Sequence, residues 1–190
     1  MSVLPVYLYG SEMLRKKAQP TAEVSNETIQ LIHDMFETMH EASGIGLAAN
    51  QVGAPERLLV VDISDAEENK EAKPLVIINP EILAEGGKLE LEEGCLSIPE
   101  VREKVSRAEN IRLRFRDANF KEQKLEADGL LARVILHEID HLDGVLFTDH
   151  LSAAKRAFLK SKLKKISKGE VETKYPVVVA PPQKGKKKKT

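Results

Sequence analysis

Residues 128–144, DGLLARVILHEIDHLDG, predict the most deeply buried element of this 190-residue chain. Their apolar side chains would cover most of the circumference of a helix, and a helix that is apolar nearly all round is enclosed by protein. Asp128 suits the N-cap position, and Gly144 suits the position just beyond the C-cap. We therefore expect a buried central helix between these two residues.

The segments around this helix predict further helices and antiparallel strands. Apolar residues recur at three- and four-residue steps over 25–42 and 152–166, as on one face of a helix, and Ser11 could cap a short helix over 11–17. Short β-branched or alternating runs predict strands at 58–63, 75–78, 101–105, 111–115 and 120–125. On the last helix we expect one apolar face that packs on the body: Phe158, Leu159, Leu163 and Ile166. The expected fold is α+β, with antiparallel strands packed around a buried central helix that carries HExxH, and with N- and C-terminal helices.

Composition restricts the class of protein. Aromatic residues make up only 4% of the chain and Trp is absent, which predicts an aliphatic core and argues against a base-stacking platform for single-stranded nucleic acid. The single cysteine excludes a disulfide framework and indicates a reducing compartment. The sequence shows neither a signal-peptide pattern nor an apolar run of about 18 residues. We therefore expect a cytoplasmic protein.

Charge is distributed unevenly along the chain. Residues 151–190 contain 13 Lys or Arg against 2 Asp or Glu and carry +11, whereas the first 150 residues carry −12. The end, APPQKGKKKKT, is of low complexity. We expect one folded domain over 1–167 and a basic, disordered tail over 168–190.

HEIDH at 137–141 carries the strongest chemical signal. Positions i and i+4 of a helix share a face, so the imidazoles of His137 and His141 would converge on one point. Neutral imidazole is a good ligand for zinc or ferrous iron, and Glu138 beside it could act as a general base on water. The alternative is two histidines with an incidental glutamate, but burying these polar groups without a metal or other partners would be costly.

Two further motifs could complete such a site. EGCLSIP at 93–99 contains Cys95, which could be a third metal ligand, a nucleophile paired with histidine, or only a small buried side chain. GIGLAANQ at 44–51 lacks the third glycine of a dinucleotide-binding loop and the GKS/T of a phosphate-binding loop. It could be an ordinary connection, or it could bring the backbone close to a ligand, with Gln51 as an amide donor.

In this order and spacing, GIGLAANQ, EGCLS and HEIDH resemble the three motifs of the peptide deformylase family, GxGxAAxQ, EGCLS and HExDH. The resemblance covers 4–167, so the catalytic domain would occupy 1–167. It implies a cytoplasmic hydrolase that removes the formyl group from the N-terminal formylmethionine of newly synthesised bacterial polypeptides and releases formate.

The resemblance also implies a metal site and a general base. Cys95, His137 and His141 would hold one divalent ion, with ferrous iron as the native metal and zinc or nickel as substitutes. A thiolate beside two imidazoles is chemically compatible with all three ions. Glu138 would accept a proton from the attacking water and hand it to the leaving amine.

Binding roles follow from the same resemblance. The Gln51 amide and the Leu96 N–H would hold the oxyanion. An extended peptide would lie beside three substrate-binding positions, Ile45, Gly46 and Gly94, with Arg102 near the mouth. Leu136 stands where many family members have Gln, which removes no ligand.

Two other functions fit parts of the sequence. An ordinary HExxH metalloprotease would take its third ligand downstream, where His150 is available, but the upstream cysteine fits better. A non-catalytic ribosome or RNA binder would use the basic C-terminus, which otherwise serves as a solubilising end. Besides nascent formylated polypeptides, we expect at most a weak ribosome association through this end, and neither DNA nor a membrane as partner.

Overall fold

The computed structural model describes residues 2–66 and 69–180. These residues form three α-helices, two antiparallel sheets and one parallel pair of strands. The helices are α1 (Asn26–Glu41), α2 (Gly129–Leu142) and α3 (Ala153–Ile166). The strands are β1 (Val6–Tyr7), β2 (Gly46–Ala48), β3 (Leu58–Val61), β4 (Leu75–Gly86), β5 (Leu89–Cys95), β6 (Ile98–Arg107), β7 (Asn110–Arg116), β8 (Glu122–Asp128) and β9 (Val177–Val178). The α+β class predicted from the sequence is confirmed.

The largest sheet has five antiparallel strands in the order β2-β3-β4-β7-β8. α2 packs against β2, β3, β7 and β8. Every residue of α2 from Ala132 to Ile139 is buried, and so are His141 and Leu142. Its apolar side chains join those of the sheet in one cluster. The buried central helix is therefore present, and the sheet holds it along most of its length.

The other two sheets bring distant parts of the chain beside α2. β5 and β6 form an antiparallel hairpin, with a register shift between Gly94 and Cys95 and a two-residue connection, Leu96 and Ser97. β1 and β9 form a parallel pair in which Val6 lies opposite Val177. These two sheets and α3 share a second apolar cluster, which also contacts Cys95.

The helix termini follow the sequence signals closely. Ser25 caps α1 in a capping box with Thr28, and the Ser152 side chain accepts a hydrogen bond from the backbone N–H of Lys155 at the start of α3. Asp128 is the N-cap residue of α2, although its side chain makes no capping bond. The short helix after Ser11 is a 3₁₀ turn over Glu12–Arg15. In the part of the chain that the structure describes, no helix is long and apolar enough to span a membrane.

Two expectations for the C-terminal region are wrong. α3 buries Leu159, Leu163 and Ile166, but Phe158 is 86% exposed, because it lies about 100° around the helix from Leu159. The expected disorder from residue 168 onward is also incorrect for 168–180, since this stretch turns back after α3 and forms β9. The rest of the expected tail, 181–190, lies outside the described residues.

Candidate metal and active site

A cavity of about 490 Å³ lies between α2, the β5–β6 hairpin and the loop before β2. It is lined by nine of the ten site residues predicted from the sequence: Ile45, Gly46, Gln51, Gly94, Cys95, Leu96, Arg102, His137 and Glu138. The tenth, His141, is 1% exposed and lies behind the cavity against Cys95. Folding thus collects residues from three separate motifs at one place.

Cys95, His137 and His141 form a compact group of ligand atoms. One ligand atom from each lies within 4.8 Å of the other two, and Cys95 Sγ is 3.1 Å from His141 Nε2. The two imidazoles meet edge to face on adjacent turns of α2, with ring centroids 4.9 Å apart. A thiolate and two imidazoles are a donor set that suits zinc or ferrous iron. These residues therefore fit a divalent metal ion.

Glu93 orients His137 and was not predicted as a site residue. Its Oε2 lies 3.0 Å from His137 Nδ1, which leaves Nε2 of that imidazole as the free ligand atom. Glu93 Oε1 accepts hydrogen bonds from Arg107 at 2.6 Å and from Arg133 at 2.7 Å. Although burial opposes ionisation, the hydrogen bonds from His137 and Arg107 hold the pKa of Glu93 well below its ordinary value. A buried carboxylate thus orients one of the three candidate ligands.

The same network extends to His150. Arg107 donates to Asp140 Oδ2 at 2.6 Å, and His150 Nε2 lies 2.6 Å from the same oxygen. Burial alone would raise the pKa of Asp140. The contacts with His150 and Arg107 outweigh burial, so the pKa of Asp140 is lower than its ordinary value. His150 is therefore engaged by Asp140, and the ligand group found among the described residues contains Cys95 instead. The metalloprotease alternative loses its proposed third ligand.

Glu138 presents an unpaired carboxylate oxygen in the same cavity. The residue is 4% exposed, and its Oε2 has no hydrogen-bond partner among the described residues. Burial raises the pKa of Glu138 to about 7, against the opposing effect of the His137 and Arg107 charges. A carboxyl group with a pKa near neutrality can both accept and release a proton. A methyl group on Gly46 would lie 2.6 Å from Glu138 Oε1, so only glycine lets β2 approach this closely.

Gln51 and Arg102 both line the cavity, but Gln51 is buried whereas Arg102 is exposed. The Gln51 side chain accepts from the Ala48 N–H at 2.8 Å, which directs its NH₂ group toward Ser97 Oγ at 3.2 Å and Cys95 Sγ at 3.6 Å. Arg102 is 71% exposed, across the hairpin from Gly94. The amide donor is thus held rigidly beside the ligand cluster, whereas the guanidinium lies at the solvent-facing mouth.

Comparison with known proteins agrees with this geometry. A family model described as Polypeptide deformylase matches residues 3–157. The chain belongs to the peptide deformylase family. A curated relative, the peptide deformylase of Salinibacter ruber, is 53% identical over 184 residues, which covers 93% of this chain and 94% of the relative. The peptide deformylase of Chlorobium phaeobacteroides is 50% identical over 175 residues, with coverage of 92% and 95%.

Solved structures of deformylases have the same fold. The Legionella pneumophila enzyme superposes with a TM-score of 0.81 at 40% identity and covers 89% of this chain and 98% of its own. The Ehrlichia chaffeensis peptide deformylase in complex with actinonin also gives 0.81, at 38% identity, with coverage of 90% and 100%. Enzymes of this family remove the formyl group from N-formylmethionyl peptides, and the family assignment made from the three motifs is confirmed.

Leu136, the departure from the family pattern noted in the sequence, faces away from the polar network. It is 9% exposed and belongs to the apolar cluster between α2 and the five-stranded sheet. A leucine therefore fits this position through packing, and it leaves the Cys95, His137 and His141 ligand group complete.

Proposed function

We propose that this chain hydrolyses the N-formyl group of formylmethionine at the start of newly synthesised polypeptides and releases formate. The observation that carries the proposal is the buried Oε2 of Glu138, which has no hydrogen-bond partner among the described residues and belongs to a residue lining the same cavity as Cys95 and His137, two of the three candidate ligands. A metal-dependent hydrolase that activates water needs these two components side by side, since the metal ion makes the water more acidic and the carboxylate receives its proton.

The three ligands would hold a divalent cation. When bound there, such an ion supplies Lewis acidity, which polarises the formyl oxygen and makes an adjacent water more acidic. We propose ferrous iron as the native metal, with zinc or nickel as substitutes, because one soft thiolate and two imidazoles suit all three ions.

Glu138 would move the proton. Its Oε2 would accept a proton from the attacking water and then deliver it to the amine nitrogen as the formyl C–N bond breaks. The pKa of about 7 that burial imposes on this carboxyl matches a group that must be deprotonated first and protonated afterwards. Glu138 itself is only 4% exposed, so few bulk water molecules would compete for this proton.

Two donors would stabilise the developing oxyanion. The Gln51 NH₂ group is already directed by the Ala48 N–H toward the ligand cluster, so it loses little freedom in the transition state. The backbone N–H of Leu96 follows Cys95 directly in the hairpin connection and would supply the second donor. Together they would replace hydration of the oxyanion with fixed protein dipoles.

The peptide would bind through its backbone and its first side chain. Ile45, Gly46 and Gly94 would form backbone hydrogen bonds with an extended chain, as in strand addition. The methionine side chain would contact the apolar wall that Leu130 and Val134 contribute to the cavity. Arg102 at the mouth could donate to a carbonyl further along the peptide. Such contacts use little downstream sequence, as an enzyme with many substrates requires.

The location of the enzyme would be the cytoplasm, where its substrates are made.

We also propose weak, salt-sensitive attraction of the basic C-terminal region to ribosomal RNA, supported by the +11 charge of residues 151–190 and the exposed lysines of α3. Co-sedimentation with ribosomes at low salt should fall when Lys160, Lys164 and Lys165 are changed to Gln. It should stay constant when three exposed lysines elsewhere are changed instead, Lys88, Lys121 and Lys124. Equal co-sedimentation of both variants would contradict this part of the proposal.

The deformylase proposal itself is tested by formate release. Protein purified without oxygen should release formate from a formyl-Met-Ala-Ser peptide, and it should leave both acetyl-Met-Ala-Ser and internal peptide bonds intact. Glu126→Gln, a change of an exposed glutamate on β8, should be as active as the unmodified protein. Cleavage of internal peptide bonds would favour the metalloprotease alternative, and no formate release by metal-loaded protein would refute the proposal.

A further inference from the structure

The C-terminal segment 171–178 reaches back to the metal-ligand loop. It follows α3 and lies beyond residue 157, where the match to the family model ends. β9 pairs with β1. Two hydrogen bonds of 2.9 Å join them: the Val6 N–H donates to Pro176 O, and the Leu8 N–H donates to Val178 O. Val171 and Val177 pack on the second apolar cluster, which Cys95 also contacts. The segment is thus anchored on both sides of Tyr175.

Tyr175 contacts the loop that carries the ligand and the oxyanion donor. Its hydroxyl donates a hydrogen bond to the Leu96 carbonyl at 2.7 Å, across 79 residues of sequence, and its side chain lines the cavity. Burial and the nearby Cys95 sulfur raise the pKa of Tyr175 to about 12, so the hydroxyl remains a donor at neutral pH. Leu96 is the residue immediately after the thiolate ligand.

The second residue of this loop is held by the chain just after β1. Ser97 O accepts a hydrogen bond from the Tyr9 N–H at 2.8 Å, just after β1. The connection between β5 and β6 consists of Leu96 and Ser97 alone, so both of its carbonyl groups are bound by residues that flank β1 and β9. Fixing both carbonyls restrains the two peptide planes that follow Leu96 and Ser97. The first of these planes adjoins the one that carries the Leu96 N–H, so the backbone just after Cys95 has less freedom to rotate.

We propose that Tyr175 is a positioning residue, which holds the Cys95–Leu96 loop in the geometry that metal binding and oxyanion stabilisation require. The inference rests on the proposed deformylase function, and it adds a C-terminal element that no catalytic motif contains. Displacements of about 1 Å of an active-site group can lower a rate by about 10²-fold. Removing one of the two carbonyl contacts loosens the loop without deleting the donor, and the expected loss is about 10-fold.

The test compares Tyr175→Phe with a matched control. Tyr7→Phe removes the hydroxyl of another tyrosine that packs on the same cluster, and it leaves the bond to Leu96 in place. With a formyl-Met-Ala-Ser peptide, kcat of Tyr175→Phe should fall about 10-fold while KM stays within about twofold. Tyr7→Phe should match the unmodified protein in both constants. Circular dichroism of both variants checks that the fold is retained.

A second readout is independent of activity. In cobalt-substituted protein, the sulfur-to-cobalt absorption band reports the orientation of the Cys95 thiolate, and Tyr175→Phe should shift or broaden it whereas Tyr7→Phe should not. If Tyr175→Phe changed neither the band nor kcat, the proposal would be overturned. It would also be overturned if Tyr175→Phe and Tyr7→Phe had equal effects, or if Tyr175→Phe raised KM alone. If the unmodified protein released no formate, the proposed function would fail, and a band shift specific to Tyr175→Phe would still support the positioning role.

Discussion

Replacing Glu93 by Gln should weaken both the fold and the metal site. Glu93 is 5% exposed, and its carboxylate faces Arg107, Arg133 and His137 at distances between 2.6 and 3.0 Å. Glutamine has nearly the same shape but only one oxygen and no charge, so two buried guanidinium groups lose their anionic partner. Arg107 keeps Asp140, and Arg133 keeps the carbonyl oxygen of Val105.

The size of the effect follows from these contacts. Removing one member of a buried ion pair typically costs about 3–5 kcal/mol, and the partners that remain place Glu93→Gln near the lower end, about 3 kcal/mol. For a chain of this size, each kcal/mol lowers the melting temperature by about 2–4 °C, so a decrease of about 6–12 °C is expected. Loss of a carboxylate behind a ligating imidazole typically lowers metal affinity about 10- to 100-fold.

Thermal unfolding and chelator competition measure the two effects separately. Glu90→Gln is the matched control, because Glu90 lies on the same strand with its side chain exposed. That variant should unfold and bind metal like the unmodified protein. A Glu93→Gln protein with unchanged melting temperature and unchanged metal affinity would refute the role assigned to the buried carboxylate.

The remaining predictions concern the base, a close backbone approach, the terminus and the metal. Glu138→Gln should lower kcat by about 10²-fold or more with metal still bound, as measured by formate release and metal analysis, and near-normal turnover would mean that another group moves the proton. Gly46→Ala should cost about 1–3 kcal/mol in urea unfolding, because its methyl group would lie 2.6 Å from Glu138 Oε1, whereas Gly94→Ala, with its nearest contact at 3.4 Å, should cost less. Deletion from Pro181 onward should leave kcat and KM on a short formyl peptide unchanged, since every proposed catalytic group lies before it. Activity of iron-loaded protein should decay in air as Fe(II) and the thiolate oxidise, nickel-loaded protein should persist, and equal decay of the two would contradict the role of iron.

Local signals predicted the helices and the convergence of the two histidines well. Ser25 and Ser152 cap the helices that their sequences indicated, and the i,i+4 spacing of His137 and His141 does bring the two imidazoles together. These features depend on neighbours within one or two helical turns, which a single sequence displays directly. The prediction of Cys95 as a ligand depended on the family motif, because no local pattern distinguishes a cysteine ligand from a small buried side chain.

Long-range partners were beyond the reach of local patterns. β5 was not predicted, because 89–95 holds three glutamates and a glycine, residue types that are uncommon in strands, and pairing with β6 is what stabilises it. Glu93 stood inside a recognised motif, but its arginine partners lie 14 and 40 residues away. β9 has only two residues and pairs with a strand at the other end of the chain. An arginine pairing with a buried glutamate at this separation leaves no periodic signal.

The proposed hydrolysis requires Cys95, His137 and His141 to bind one metal ion beside Glu138. X-ray absorption at the metal edge of protein purified without oxygen measures this ligand set directly. We expect one sulfur at about 2.3 Å and two imidazole nitrogens at about 2.0–2.2 Å, with the sulfur contribution lost in Cys95→Ala. A spectrum of the unmodified protein without a sulfur ligand, or one that Cys95→Ala leaves unchanged, would contradict this ligand set.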